Sequence, residues 1–137
     1  MMGWAAKLTT EIDMEQLILH MFGDYITQTD WMANKKTKHT LIAVLHAAIY
    51  SVPFLLLSPS LNALIMIFAT HAVIDRYRLA RFVVFAKNLA TQPTLKWSDC
   101  NATGYPKETP PWLAVWLLIV ADNTMHLMIN YAALRWI

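Results

Sequence analysis

The strongest constraint on the fold is a histidine and an aspartate four residues apart, repeated along an otherwise apolar chain. The pairs are His20 with Asp24, His71 with Asp75 and, in reverse order, Asp122 with His126. On a helix, positions i and i+4 lie on one face, so each pair presents an imidazole beside a carboxylate. These groups are costly in an apolar environment unless they face one another, so the helices that carry them are expected to converge.

The composition favours a membrane protein. Apolar residues make up 57% of the 137 residues and charged residues only 15%. Soluble domains hold about 45–50% apolar and about 25% charged residues, so the apolar excess indicates the bilayer. The single cysteine, Cys100, excludes an internal disulfide and a Cys-rich zinc site. The basic residues stand at the ends of apolar segments without a recognition motif, so no nucleic acid is expected as a partner.

The apolar segments predict an all-α fold: a four-helix transmembrane bundle that forms one domain, residues 1–137. A surface helix, amphipathic along its length, is expected after the third span. Residues 1–11 are interpreted as a short tail without a secretory signal. The first span is the least apolar, so a surface or re-entrant helix is the alternative there. The predicted spans are about 12–33, 40–57, 61–78 and 112–136, with a cytoplasmic segment of about 79–111.

The basic residues predict the orientation of this bundle. Three lysines lie in the turn at 34–39, and three arginines and a lysine lie between 76 and 87. Cytoplasmic loops carry an excess of Lys and Arg, so both regions are assigned to the cytoplasm. The turn at 58–60 carries no charge and is assigned to the opposite side, which also places both termini outside.

The helix rise of about 1.5 Å per residue places the polar residues of different spans at similar depths. Asp24, His46, His71 and Asp122 lie roughly 9–15 Å from the predicted cytoplasmic helix ends. His20 and His126 lie at roughly 20 Å and Asp75 at roughly 5 Å. One polar site in the cytoplasmic half is therefore expected, with seven candidate metal ligands: His20, Asp24, His46, His71, Asp75, Asp122 and His126.

A mixture of imidazole and carboxylate is typical of sites for zinc, manganese, iron or nickel. A divalent metal is therefore the predicted cofactor, with zinc favoured and manganese or iron as alternatives. Seven candidates exceed the three or four ligands of one zinc ion, so the surplus orients the ligands or holds a second metal. A hydrogen-bonded network that only stabilises the bundle and a proton or ion pathway are the other interpretations.

The ordered motifs resemble a known family. They are His20-Met-Phe-Gly-Asp24-Tyr-Ile-Thr-Gln28, His46, His71-Ala-Val-Ile-Asp75 and Asp122-Asn-Thr-Met-His126. Together they resemble the domain-of-unknown-function 3307 family over about Leu17 to Leu134, although Asn123 and Arg78 stand where the family pattern has Gln and Lys. The resemblance implies a small multi-pass protein of the bacterial inner membrane and a phage origin. In that membrane, the orientation predicted from the basic residues makes both termini periplasmic. It implies no activity.

Three functions are open at this stage. The first is a metal-dependent hydrolase acting at the cytoplasmic leaflet, with Asp24 and Asp122 as candidate catalytic bases. Arg76 and Arg78 are candidates for binding a phosphate or lipid headgroup, and simple membrane anchoring is the alternative for them.

The second function is a proton or ion pathway, which the nearly all-apolar outer halves of the second and third spans disfavour. The third is a phage accessory protein that contacts a host membrane protein through residues 89–110, with a purely structural cluster. The bilayer is the expected partner in each case, and the chain can also associate with copies of itself.

Overall fold

The computed structural model describes residues 14–137, and this part of the chain contains helices and no strands, which confirms the predicted all-α class. The predicted tail at residues 1–11 lies outside the described residues. The chain divides into two compact units, which are described in turn: Met1–Arg76 with His126–Ile137, and Tyr77–Met125.

The first unit contains the described part of α1 (14–21), a π-helical turn (Phe22–Ile26), α2 (Asp30–Lys35), α3 (Thr40–Ser51), a 3-10 helix (Val52–Leu57), nearly all of α4 (Leu61–Tyr77) and the last part of α7 (Pro111–Trp136). The second unit contains α5 (Ala80–Leu89), α6 (Trp97–Cys100) and the first part of α7.

Within the predicted first span, about 12–33, the described residues do not form one continuous helix. The π-helical turn ends at Ile26, where the Thr27 hydroxyl donates to the Gly23 carbonyl at 2.8 Å. After an extended Thr29, whose side chain accepts from the Met32 amide, α2 begins. Threonine side chains that bond to nearby backbone groups satisfy helix ends in this way, and they interrupt the helix here.

Two helical stretches among the described residues are long and apolar enough to cross a membrane, judged by length and composition. They are Thr40–Leu57, with a mean hydropathy of 2.1, and Pro111–Trp136, with a mean hydropathy of 1.5. They correspond to the predicted second and fourth spans. The bundle of four spans stays a prediction.

The predicted second span changes its helix type near Pro53. The α-helix ends at Ser51 and continues as a 3-10 helix over Val52–Leu57, because proline lacks the amide that the α-helical pattern requires. Ser58 then adopts a left-handed conformation, with φ of 48°, and ends the segment.

The apolar core of the first unit joins α3, the 3-10 helix, α4 and the end of α7. It consists of Tyr50, Phe54, Ala63, Ile67 and Ala133, each no more than 1% exposed. Two of the five are alanines, and small residues allow helix axes to approach closely. This core fixes the α3, α4 and α7 segments that carry the polar residues described below.

In the second unit, residues from the segment 89–110 pack against α5. The aromatic rings of Phe82 and Trp97 stack at 4.7 Å, and Arg81 donates to the Asn101 carbonyl at 3.0 Å. Gly104, at φ of 83°, lies so close to α5 that a Cβ would collide with the Arg81 carbonyl. Cys100 is fully buried among these elements, and its burial raises the pKa of the thiol.

Candidate metal centre

The π-helical turn presents the first functional side chain. Asp24 lies in this turn, which makes one i→i+5 bond from the Thr27 amide to the Phe22 carbonyl at 3.1 Å. Gly23 precedes it, and a Cβ at Gly23 would come within 2.5 Å of the Tyr50 ring. The glycine therefore lets α3 approach the turn closely, and π-helical turns occur frequently at functional sites.

Four atoms from four residues face one small space, which we call the four-ligand cage: His46 Nε2, His71 Nε2, Asp24 Oδ1 and Asp75 Oδ2. The two imidazole nitrogens are 3.1 Å apart. Asp24 Oδ1 lies 3.3 Å from each of them. Asp75 Oδ2 lies 3.2 Å from each of them. All four atoms lie within 4.8 Å of one another, so the cage can hold a metal ion.

These spacings match the edges of a metal coordination polyhedron. Bonds of about 2.0–2.2 Å put neighbouring ligand atoms about 3.3–3.6 Å apart in a tetrahedral site and about 2.8–3.1 Å apart in an octahedral one. Five edges of the cage, at 3.1–3.3 Å, extend from the upper end of the octahedral range to the lower end of the tetrahedral range. The donor set fits zinc, manganese or iron and does not distinguish them.

The cage is almost closed to solvent. The side chains of His46, His71 and Asp75 are 0%, 1% and 5% exposed, and that of Asp24 is 12% exposed. Asp24 Oδ1 is buried and has no hydrogen-bond partner among the described residues. A buried carboxylate charge is costly, and a cation held in the cage would offset that cost.

The two cage imidazoles are supported by packing rather than by hydrogen bonds at their second nitrogens. The Nδ1 atoms of His46 and His71 are buried and have no hydrogen-bond partner in the described part of the chain. The Tyr50 ring stacks on the His71 ring, with centroids 3.6 Å apart and planes 15° apart. The stack fixes the plane in which His71 Nε2 points into the cage.

Two further histidines contact the second oxygens of the cage carboxylates. His20 Nδ1 lies 3.6 Å from Asp24 Oδ2, and His126 Nε2 lies 3.5 Å from Asp75 Oδ1. Carboxylates that bind metals are commonly held by such outer contacts. The predicted surplus of ligands therefore includes two histidines placed to orient the aspartates.

A hydrogen-bonded network adjoins the cage. The Tyr50 hydroxyl lies 2.8 Å from His20 Nδ1 and accepts from Asn130 Nδ2 at 2.6 Å. Neither Tyr50 nor Asn130 was among the predicted site residues. The signal was present, because Tyr50 follows His46, and Asn130 follows His126, at the same four-residue spacing.

Lys36 is the other residue that the sequence analysis missed. Its Nζ lies 2.6 Å from Asp75 Oδ2 and 3.4 Å from His46 Nε2. Nothing in the sequence distinguishes it from Lys35 and Lys38 in the same turn. Arg76 ties this turn to the end of α4, because its guanidinium donates to the Thr37 carbonyl at 2.7 Å.

Of the seven predicted ligands, the first unit brings six together: His20, Asp24, His46, His71, Asp75 and His126. Asp122 is half-buried, lies one turn before His126 on α7 and belongs to the second unit, so its ligand and base roles stay predictions. Arg76 and Arg78 donate to the carbonyls of Thr37 and Ala102, and their headgroup role also stays a prediction.

The comparisons with known proteins agree with the motif resemblance. The family described as "Protein of unknown function (DUF3307)" matches residues 12–134. No curated protein and no solved structure matches the chain. Since the match covers most of the sequence and includes every residue of the cage, the chain belongs to the DUF3307 family.

Proposed function

We propose that this protein is a membrane-embedded metal-binding protein whose four-ligand cage holds one divalent ion. The observation that carries the proposal is the spacing of two imidazole nitrogens and two carboxylate oxygens at 3.1–3.3 Å within a buried site. The charges support it, because Asp24 and Asp75 supply two carboxylates to a small buried space. A divalent cation balances these charges.

Exposed apolar side chains support the membrane setting. Of the most apolar stretch of α7, only 11% is buried, although its mean hydropathy is 1.5. Large side chains along α7 are solvent-exposed, among them Trp112, Trp116 and Met128 at 62–68%. A helix that is apolar and uncovered is suited to lipid. The four-span arrangement, with the turn at 34–39 in the cytoplasm, belongs to this proposal.

We propose hydrolysis as the reaction, on condition that the ion has an open coordination position. Four protein ligands complete a tetrahedral zinc site, which is typical of structural zinc. A six-coordinate manganese or iron ion would leave positions for water and substrate, and a bound metal supplies Lewis acidity and an activated water. Asp24 Oδ1 faces the cage as a ligand, so Asp24 would hold the ion and not act as a separate base.

The second candidate is a structural role, and the position of Lys36 favours it. The Lys36 ammonium already neutralises Asp75 at 2.6 Å. A buried network of this type fixes helix positions without binding a metal. In that case the hypothesis of an accessory protein that contacts a host membrane protein becomes the leading one.

Metal content decides between these candidates. Detergent-purified protein should contain about one equivalent of zinc, manganese or iron by elemental analysis, and His71→Ala should contain less than a tenth as much. His39→Ala is the matched control, because His39 is exposed at the start of α3 and its side chain makes no cap hydrogen bond. Wild-type protein without stoichiometric metal would refute the metal proposal and leave the structural one.

The membrane setting has its own test. The protein should stay in the membrane fraction after carbonate extraction, and recovery as a soluble monomer without detergent would contradict the proposal. In a Cys100→Ala background, Thr37→Cys and Asp99→Cys should be protected from impermeant thiol reagents in intact cells, whereas Pro59→Cys should react. The opposite labelling pattern would invert the proposed topology.

A further inference from the structure

Lys36 shares one oxygen atom with the proposed metal site. Asp75 Oδ2 is the carboxylate oxygen that faces both cage imidazoles at 3.2 Å. The same atom accepts from Lys36 Nζ at 2.6 Å, the shortest contact between charged groups at the site. Lys36 Nζ also lies 3.4 Å from the cage nitrogen of His46. The Lys36 ammonium and a bound metal ion would therefore compete for the same two atoms, Asp75 Oδ2 and His46 Nε2.

Charge makes their joint occupancy unfavourable. The cage has two carboxylates, so a divalent ion alone brings the net charge to zero, and a divalent ion together with Lys36 leaves one excess positive charge in a buried site. Like charges a few ångströms apart repel strongly where water is excluded. The chain can relieve this repulsion, because the Lys36 side chain is 16% exposed and lies on a turn at the rim of the site.

We propose that Lys36 is a tethered cation that neutralises Asp75, one of the two cage carboxylates, in the metal-free protein and is displaced to solvent when a divalent ion binds. This inference rests on the proposed metal binding and adds its regulation. The ammonium keeps the metal-free cage folded, and it weakens metal binding because the ion must displace it. Such a cage takes up and releases its ion reversibly, unlike a structural zinc site whose apo form unfolds.

The first test compares metal affinity in three proteins stripped with chelator and titrated in detergent with Zn²⁺ or Mn²⁺ alone. Lys36→Gln should bind the ion at least ten-fold more tightly than wild type, because the competing cation is gone. Lys35→Gln, which removes an exposed charge of the same turn, should bind like wild type. Equal or weaker binding by Lys36→Gln than by wild type would overturn the inference.

The effect of Lys36→Gln on the melting temperature should differ between the metal-free and the metal-saturated protein. Metal-free Lys36→Gln should melt at a lower temperature than metal-free wild type, since Asp75 loses its counterion. With saturating metal, the two melting temperatures should converge or reverse. An equal loss in both states would show that Lys36 is a fixed structural partner of Asp75 and would refute displacement.

A third test uses wild-type protein only, so its result does not depend on whether a variant folds. Mild acylation followed by peptide mass spectrometry should modify Lys36 several-fold faster after Zn²⁺ is added, because the amine leaves the cage. Lys35 and Lys38 are exposed and should react equally with and without the ion. Unchanged or slower acylation of Lys36 in metal-loaded protein would refute the displacement of Lys36 but not the proposed metal binding. If no protein binds the ion at all, the proposed function fails as well.

Discussion

The apolar core and the four-ligand cage both include residues of α4. These residues lie on successive turns of the helix and are buried to the same extent. Along α4, every fourth residue faces inward: Ala63, Ile67, His71 and Asp75 are 1%, 0%, 1% and 6% exposed. The chemistry changes between Ile67 and His71, while the helix continues without a break from Leu61 to Tyr77. Burial alone therefore does not distinguish the two regions.

The two regions differ in the interactions that stabilise them. The apolar core needs only complementary shape, because dispersion contacts carry its stability. The cage needs a cation, because its carboxylate oxygens are costly to bury without a partner. Tyr50 belongs to both, since its ring packs against Phe54 at 5.3 Å and its hydroxyl lies 2.8 Å from His20 Nδ1. The two regions should consequently respond differently to metal removal and to loss of volume.

The largest effect is expected at His71. His71→Ala removes a ligand and leaves two buried carboxylates with one imidazole fewer, and breaking a buried charge pair costs about 3–5 kcal/mol. The free energy of unfolding of wild type should also fall by about 2.7 kcal/mol when chelator removes metal present at 100 times its Kd. Thermal unfolding with and without chelator measures both. Chelator should have little effect on the stability of His71→Ala. A full chelator effect on this variant would mean that the metal binds outside the four-ligand cage.

Loss of volume in the apolar core should be independent of metal. Phe54→Ala is expected to destabilise the protein by about 3 kcal/mol, near the low end for such truncations because lipid removes part of the hydrophobic term. The shift in melting temperature should be the same with chelator and with metal. A shift that depended on chelator would mean that the two regions form one cooperative site.

Gly23→Ala should disturb both regions at once. The added methyl would lie 2.5 Å from a Tyr50 ring carbon, and hydrogen bonds to the hydroxyl hinder the ring from moving away. Overpacking of this kind costs about 1–3 kcal/mol. We expect a lower melting temperature together with reduced metal content, because Tyr50 stacks on His71. A loss of stability with unchanged metal content would show that the packing of Tyr50 does not affect metal binding.

The smallest effect is expected from Tyr50→Phe. The ring and its stack on His71 are kept, while Asn130 and His20 lose their common hydroxyl partner. An unsatisfied buried donor costs about 1–3 kcal/mol. Melting temperature should fall by a few degrees and metal content should be unchanged. A large loss of metal in this variant would mean that the phenol itself takes part in binding.

Much of the site could be predicted from the four-residue spacing. Side chains at i and i+4 share a helix face whatever surrounds them, so the pairing of His71 with Asp75 follows from the chain alone. The same rule would have added Tyr50 after His46. It could not add Lys36, because its contact with Asp75 joins residues 39 positions apart and depends on the path of a turn.

The sequence by itself determined the all-α class, the family and the buried stripe that places imidazoles next to carboxylates, because these depend on composition, motif order and helical periodicity. The tertiary structure decided which oxygen and which nitrogen face each other, that Asp24 lies in a π-helical turn, and that Lys36 pairs with Asp75. The reason is that distances of 3 Å between different helices depend on how close their backbones approach, and Gly23 and the alanines of the core set that approach only once the helices are packed.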